Sequence, residues 1–142
     1  MYKKPKNTDK YIWTNHVVGK MGYYRISESL VKRVVRFPKR IEKGIALGTT
    51  ACMQPAGSKK NPSEVWVMYQ EINPQGSTFL QIQGRTLSNT RKRIITAWRY
   101  PGISPIGEPI PIPEEILSEI GQEMHKVRYI LHSLVDKKSE DI

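Results

Sequence analysis

The chain has 142 residues, of which 38% are hydrophobic, and this is enough for one domain with its own core and argues against global disorder. The apolar runs are too short to span a bilayer, the N-terminus lacks the apolar segment of a secretory signal, and the single cysteine, Cys52, excludes an internal disulfide and a cysteine-rich metal cluster. We therefore expect a cytoplasmic protein that does not insert into a membrane.

The net charge of +10 is distributed unevenly. Residues 1–45 carry +9, residues 46–100 carry +5 and residues 101–142 carry −4. A basic body with an acidic tail indicates a polyanionic partner, and nucleic acid is the commonest one because its binding releases counterions from the phosphates. The alternative is a solvated surface that keeps the protein soluble.

The N-terminal half begins with a lysine-rich segment, residues 1–11, which we predict to be a flexible arm. A short helix is predicted from Ile12 to about Met21. A second helix has stronger signals: Ser27 is a good N-cap, four apolar residues recur at helical spacing, and Pro38 ends the segment.

The pattern then changes to the period of two that is typical of strands. We predict four strands, at residues 45–53, 65–69, 78–82 and 93–99, with a loop at 55–62 and a turn at 73–76. Short connections favour antiparallel pairing. The expected fold class is α+β, with two N-terminal helices packed on one face of a four-stranded antiparallel sheet in a domain spanning residues 12–100.

The C-terminal part, residues 101–142, is predicted to contain no strands. Five prolines make residues 101–113 an extended strap, and residues 114–142 are predicted to form a C-terminal helix and a tail. One stripe of this helix is apolar and must be buried, either on the same domain or on a partner chain; it contains Ile116, Ile120, Met124, Val127, Leu131 and Leu134.

Several residues could form a site for phosphate. His16 and Lys20 are four residues apart and share a helix face, so they could hold one phosphate, and the histidine could transfer a proton. The alternative is a histidine with a structural hydrogen bond. Further cations that could contact a nucleic-acid backbone lie on and after the second helix, and before and at the ends of the last strand: Lys32, Arg33, Arg36, Lys39, Arg40, Arg91, Lys92, Arg93 and Arg99. For the first five, the alternative is one solvated helix face.

Alternation along the last strand predicts that Arg93, Ile95, Ala97 and Arg99 share one face, while Ile94, Thr96 and Trp98 share the other. Tyr100 could stack on a base. The other aromatic residues of the strands, Trp66, Tyr69, Phe79 and Trp98, are expected in the core.

Other chemistries lack support in the sequence. There is no glycine-rich phosphate loop, and His125 and His132 have no residues placed to complete a metal site. Cys52 is expected in the core rather than as a nucleophile. Carboxylates are few and scattered in residues 1–100, so we expect neither a metal nor another cofactor.

The order of His16, Lys20, Met21, Ile26, Ser27, Val31 and Pro38, followed after a β-meander by Ile95-Thr96 and Arg99, resembles the bacterial family called domain of unknown function 4258. That family is similar to the toxin ribonucleases of the RelE and BrnT kind. The resemblance covers about residues 14–100. Two positions differ: the family has arginine where Lys20 stands, and it has arginine followed by glycine where this chain has Tyr24-Arg25.

The resemblance implies a metal-independent endoribonuclease of a toxin–antitoxin system. Its RNA substrate would be cleaved by attack of the 2′-hydroxyl, and an antitoxin protein would be its partner. His16 would be the acid or base, Lys20, Arg93 and Arg99 would stabilise the phosphoryl oxygens, and Thr96 and Tyr100 would position groups or relay a proton. Arg25 would contact the nucleic acid.

Two alternatives remain: a nucleic-acid-binding module without catalysis, and a protein-interaction domain that docks through the C-terminal helix. The charge distribution also suggests that the acidic C-terminal helix lies against the basic body and limits access to RNA.

Overall fold

The computed structural model describes residues 3–46, 48–72 and 90–123, the last three by their backbone alone. This part of the chain contains three helices and five strands. In chain order they are β1 (Tyr11–Trp13), α1 (Asn15–Tyr24), α2 (Glu28–Arg36), β2 (Arg40–Lys43), β3 (Thr49–Gly57), β4 (Pro62–Ile72), β5 (Arg91–Pro101) and α3 (Glu114–Glu123). The fold is α+β, and the strands form one sheet in the order β1-β5-β4-β3-β2.

The sheet is mixed and five-stranded in the described residues, so the prediction of a four-stranded antiparallel sheet is wrong in this detail. β1 runs parallel to β5, with Ile12 opposite Arg93, where the sequence predicted the start of a helix. A strand of three residues is too short to show a period, and its partner lies about 80 residues away in the chain. The strand predicted at 78–82, the turn predicted at 73–76, and Leu47 lie outside the described residues.

The second missed strand, β2, contains Arg40, which the sequence suggested only as a phosphate contact. β2 pairs antiparallel with β3, from Arg40 opposite Met53 to Lys43 opposite Thr50. The loop predicted at 55–62 is also shorter than expected, because β3 continues to Gly57 and β4 begins at Pro62. Pro55 can lie in β3 because it comes after the last pair with β2, where its missing N–H leaves no ladder bond unmade.

The helix boundaries follow from capping. The Thr14 side chain accepts a hydrogen bond from the Val17 N–H, and Arg25 caps the C-terminal end of α1 in a left-handed conformation with φ of 56°. Ser27 caps α2 as predicted, and α2 ends at Arg36, before Pro38. Part of the predicted arm is tied to the body, since the Asn7 side chain accepts a hydrogen bond from the Trp13 N–H.

The sheet has a hydrophobic core on each face. α1 and α2 pack on one face, as predicted, and that core includes Val17, Met21, Val31, Val34, Cys52, Val67, Ile94 and Ala97. α3 covers the other face, where Ile116 and Ile120 pack with Met53, Trp66, Met68, Ile95 and Trp98. Packing of the C-terminal helix on its own domain is confirmed for these two isoleucines; the rest of the predicted stripe lies outside the described residues.

A β-bulge in β5 changes which residues share a face. Thr96 pairs with Met68 and Ile94 pairs with Tyr69, so Ile95 is an extra residue between them. After the bulge the alternation is reversed: Ile94 and Ala97 face α1 and α2, whereas Ile95 and Trp98 face α3. The predicted grouping of β5 residues by simple alternation is therefore wrong.

The helices of the described residues are all short. None of them is long and apolar enough to cross a membrane.

Candidate functional site

The site is built where α1 begins beside the bulge of β5. The Thr14 hydroxyl donates to the carbonyl oxygens of Ile94 and Ile95, at 2.9 and 3.1 Å. The same oxygen accepts from the Val17 N–H and so caps α1. Thr14 therefore fixes both the start of the helix and its position against the bulge, two residues before His16.

His16 bridges β5 and α3. Its Nε2 lies 2.8 Å from the Thr96 hydroxyl, and its Nδ1 lies 3.4 Å from a Glu119 carboxylate oxygen. The histidine side chain is 6% exposed and Thr96 is fully buried. Which nitrogen carries the proton depends on the tautomer. A hydroxyl, an imidazole and a carboxylate in line can orient the ring and transfer a proton.

Lys20 joins the same carboxylate from the next turn of α1. Its ammonium lies 3.1 Å from Glu119, and the side chain is 13% exposed. The prediction that His16 and Lys20 share a helix face is thus confirmed. The two oxygens of one carboxylate contact the two side chains, so a single anionic group lies between His16 and Lys20.

A third contact joins α1 to α3. The Tyr24 hydroxyl donates to the Glu115 carboxylate at 3.4 Å. Partial burial, together with the Glu115 charge, raises the pKa of Tyr24 to about 12. Glu115 and Glu119 are one helical turn apart on α3, so α3 presents two carboxylates to α1.

The two arginines of β5 that the sequence assigned to the phosphate lie on opposite faces of the sheet. Arg93 pairs with Gln70, on the α3 face, and its guanidinium donates to the Gln70 side chain at 3.1 Å. Arg99 pairs with Val65, on the α1 face, and it donates to the carbonyl oxygens of Tyr24 and Arg25 at 2.8 and 3.1 Å. Arg99 thus closes the C-terminal end of α1 instead of meeting His16.

Tyr100 pairs with Glu64 and follows the face of Thr96 and Trp98. It is half-buried and packs against the core beneath α3. Of the predicted site residues in β5, Arg93, Thr96 and Tyr100 therefore share the α3 face, and the contact with His16 is made by Thr96.

The remaining predicted nucleic-acid contacts fall into two groups. Four cations project from α1, α2 and the residues after them and are exposed: Arg25, Arg33, Arg36 and Lys39. The others have partners within the protein. Lys32 pairs with Glu28, Arg40 with Glu42, and Lys92 with Glu71, while Arg91 donates to the Thr8 carbonyl oxygen.

The sequence did not point to two acidic residues that make central contacts in the structure, Glu119 and Glu64. Glu119 is the partner of His16 and Lys20, and a signal for it existed: Glu115 and Glu119 have the same four-residue spacing as His16 and Lys20. Glu64 is 3% exposed and accepts hydrogen bonds from Trp66 and Ser104. Its burial could not be inferred, because Ser104 lies 40 residues further along the chain.

Within the described residues, no group of three or more histidine, cysteine, aspartate or glutamate side chains is placed to hold a metal ion. Cys52 is buried in the first core, as predicted, and burial raises the pKa of its thiol.

No protein-family model matches the chain, and the comparisons with curated proteins and with solved structures likewise give no match.

Proposed function

We propose that the protein is a metal-independent endoribonuclease of the toxin type, in which His16 transfers a proton and Lys20 holds a phosphoryl oxygen. The observation that supports this is the Glu119 carboxylate, which lies 3.4 Å from His16 Nδ1 and 3.1 Å from Lys20 Nζ. A phosphodiester carries similar anionic oxygens, so it could take the place of this carboxylate. The resemblance of residues 14–100 to toxin ribonucleases of the RelE and BrnT kind also supports the proposed ribonuclease activity.

The reaction is an internal displacement. The ribose 2′-oxygen attacks phosphorus, the bond from phosphorus to the 5′-oxygen breaks, and the products are a cyclic phosphate and a 5′-hydroxyl. One proton leaves the 2′-hydroxyl and another reaches the 5′-oxygen. His16 carries out one of these transfers. Thr96 orients the imidazole, and Tyr100, on the same strand face, positions the ribose or relays the second proton.

Charge stabilisation in this proposal comes from Lys20, which reaches α3 from α1, and from Arg93 on the α3 face of the sheet. Lys20 and Arg93 balance the negative charge that develops on the phosphoryl oxygens. Arg99 has no role at the phosphate here, because its guanidinium binds two backbone carbonyl oxygens on the other face.

Access to the site is limited by α3 in this proposal. Glu119 occupies the position proposed for the phosphate, and His16 is only 6% exposed behind it. RNA must therefore displace the acidic helix, which makes α3 an internal competitor of the substrate.

The test is cleavage of a labelled single-stranded RNA by the whole protein and by His16→Ala. We expect products that end in a cyclic phosphate from the wild type, a loss of at least about a hundredfold in His16→Ala, and no cleavage of an oligonucleotide with 2′-deoxy sugars. Asn15→Ala is the matched control, since Asn15 is an exposed neighbour on the same helix. Equal cleavage by the wild type and His16→Ala would reject the assignment.

A second candidate function is nucleic-acid binding without cleavage. It is favoured by the complete burial of Thr96 and by the exposure of Arg33 and Arg36 on α2, which packs on the face opposite α3. This candidate predicts RNA binding that weakens steeply with salt and gives no product. Reversing the charge of Arg33 and Arg36 should then reduce both the affinity and its salt dependence, whereas His16→Ala should change neither.

A further inference from the structure

A groove lies on the α3 side of the sheet, where β3 and β4 meet the segment that follows β5. It encloses a cavity of about 520 Å³, within the range of about 300–1,000 Å³ that binding pockets occupy. Its lining is largely apolar and includes Met53, Pro55, Pro62, Ile103 and Ile106. None of the residues of the His16 site lines it, so the groove is a separate feature.

The outer wall of the groove is held firmly. The Ser104 N–H and hydroxyl donate to the two oxygens of the Glu64 carboxylate at 3.1 and 2.6 Å. The Arg40 guanidinium donates to the Ser104 hydroxyl at 2.7 Å, and the Gly102 N–H donates to the Pro62 carbonyl oxygen at 2.8 Å. The groove is therefore already formed in the protein alone, and an occupant does not have to order it.

The two charged side chains of the inner wall, Glu64 and Arg40, are already hydrogen-bonded within the protein. The Glu64 carboxylate accepts from Ser104 and from the Trp66 indole, and the Arg40 guanidinium is shared among Glu42, Ser104 and the Pro105 carbonyl oxygen. This leaves apolar contact as the main source of affinity. Two isoleucines at the mouth of the groove can supply this apolar contact, because Ile103 is 75% exposed and Ile106 is 88% exposed.

The charge at the rim selects among apolar occupants. Lys39 and Lys59 line the groove and are exposed, while the carboxylate of Glu64 is buried and accepts hydrogen bonds from Ser104 and Trp66. The rim thus attracts negative charge around an apolar centre. This combination of an apolar core and a charged edge is the usual composition of a protein–protein interface.

From this geometry we infer that the groove docks a segment of a partner protein that carries apolar side chains flanked by acidic ones. A small polar ligand would need a charged group free to bind it, whereas the Glu64 carboxylate and the Arg40 guanidinium of the inner wall are engaged within the protein. RNA would need exposed aromatic platforms, whereas Trp66 is fully buried below the Arg40 guanidinium. Docking here is independent of the proposed ribonuclease activity.

The test uses the whole protein labelled at its isoleucine and methionine methyl groups, with short synthetic peptides as probes. One peptide alternates leucine with glutamate, a second alternates leucine with lysine, and a third alternates serine with glutamate. We expect the first peptide alone to shift the methyl signals of Met53, Ile103 and Ile106. The signal of Ile41 should not move, because Ile41 pairs with Cys52 and so faces the other side of the sheet.

Variants sharpen the test. Ile106→Asp should weaken binding of the first peptide at least about tenfold, and Ile41→Asp is its matched control because Ile41 is also exposed, at 63%. Lys59→Glu should weaken binding, and Lys10→Glu, on an exposed lysine outside the groove, should not. The measurement is the dissociation constant from the titration.

Three results would overturn the inference. The first is no methyl shift with any of the peptides, and the second is equal binding of the glutamate and lysine peptides. The third is a dimer of the wild type in light scattering that Ile106→Asp abolishes and Ile41→Asp leaves intact, since a second copy of the chain would then be the occupant.

Discussion

Replacing Glu119 by glutamine should open the His16 site, and the size of the effect can be worked out from the contacts of α3. The substitution removes an ion pair with Lys20 and, when the imidazole is protonated, a second ion pair with His16. The Glu119 side chain is 44% exposed, so each pair contributes only about 0.2–1 kcal/mol. With both pairs present the sum is about 0.4–2 kcal/mol, which corresponds to a rise of roughly 2- to 30-fold in the fraction of molecules with α3 displaced.

The apolar contacts of α3 explain why the gain should not be larger. Ile116 and Ile120 are 0% and 3% exposed, and each isoleucine contributes about 1.5–3 kcal/mol when buried. Their sum exceeds that of the ion pairs, so α3 remains mostly in place after Glu119→Gln. Weakening the core beneath α3 as well should open the site further. Ile120→Ser, added to Glu119→Gln, tests this because it removes apolar contacts of α3 in addition to its ion pairs.

The assay is fluorescence anisotropy of a labelled single-stranded RNA at several salt concentrations. We expect tighter binding by Glu119→Gln, with the difference from the wild type shrinking as salt rises because exposed ion pairs are screened. Glu114→Gln is the control, since Glu114 is an exposed residue of the same helix. Unchanged or weaker binding by Glu119→Gln would refute the reasoning, as would an equal gain in Glu114→Gln, which would indicate a long-range effect of charge.

Four further predictions concern the scaffold. Glu64→Ala should lower the free energy of unfolding in urea by about 3–5 kcal/mol, because it strands three buried donors, and Glu64→Gln should cost about 1–3 kcal/mol. Gly57→Ala should destabilise by about 1–3 kcal/mol, since φ is +77° and the new Cβ would clash with the Asn61 carbonyl oxygen, whereas Gly19→Ala, with open space in α1, should stabilise by about 0.5–1 kcal/mol. Thr14→Ala should cost about 1–3 kcal/mol and Thr14→Ser less than about 0.5, because serine keeps the hydroxyl. The raised pKa of Tyr24 means that its neutral form is stabilised by folding, so stability should fall as the pH rises from 10.0 to about 12, and this fall should be smaller in Tyr24→Phe; an equal fall in both proteins would contradict it.

Local signals made the helices predictable. α2 has its N-cap at Ser27, a stripe of valines at helical spacing and Pro38 after its end, and all of these act within a few residues of one another. The strands β3, β4 and β5 were also predicted from local signals, such as alternation in β3 and β-forming residues in β4, with their ends displaced by a few residues. The α+β class could therefore be read from the sequence.

What could not be predicted depends on partners that are distant in the chain. β1 exists because Tyr11 to Trp13 pair with β5, whose residues lie about 80 positions later. The ion pair between Lys20 and Glu119 joins residues 99 positions apart. The charge distribution of the sequence indicated a contact between the acidic segment and the basic body, but which residue makes this contact depends on the fold.

The bulge at Ile95 shows how one backbone irregularity can decide the composition of a site. Without the extra residue, Thr96 would continue the alternation from Ile94 and would face α1 and α2, out of line with α3. The extra residue reverses the alternation, so Thr96 faces α3 while Arg99 turns to the end of α1.

The same bulge also locates the histidine. The carbonyl oxygens of Ile94 and Ile95 both accept from Thr14, which starts α1 two residues before His16. The bulge of β5 thus positions both the Thr96 hydroxyl and helix α1, which carries His16. A simple period of two along β5 groups Arg93 with Arg99 and places Thr96 on the other face. In the observed register, Arg93 and Thr96 share a face and Arg99 lies on the other. The sequence of β5 alone could not predict this, because a bulge is a property of the pairing between two strands.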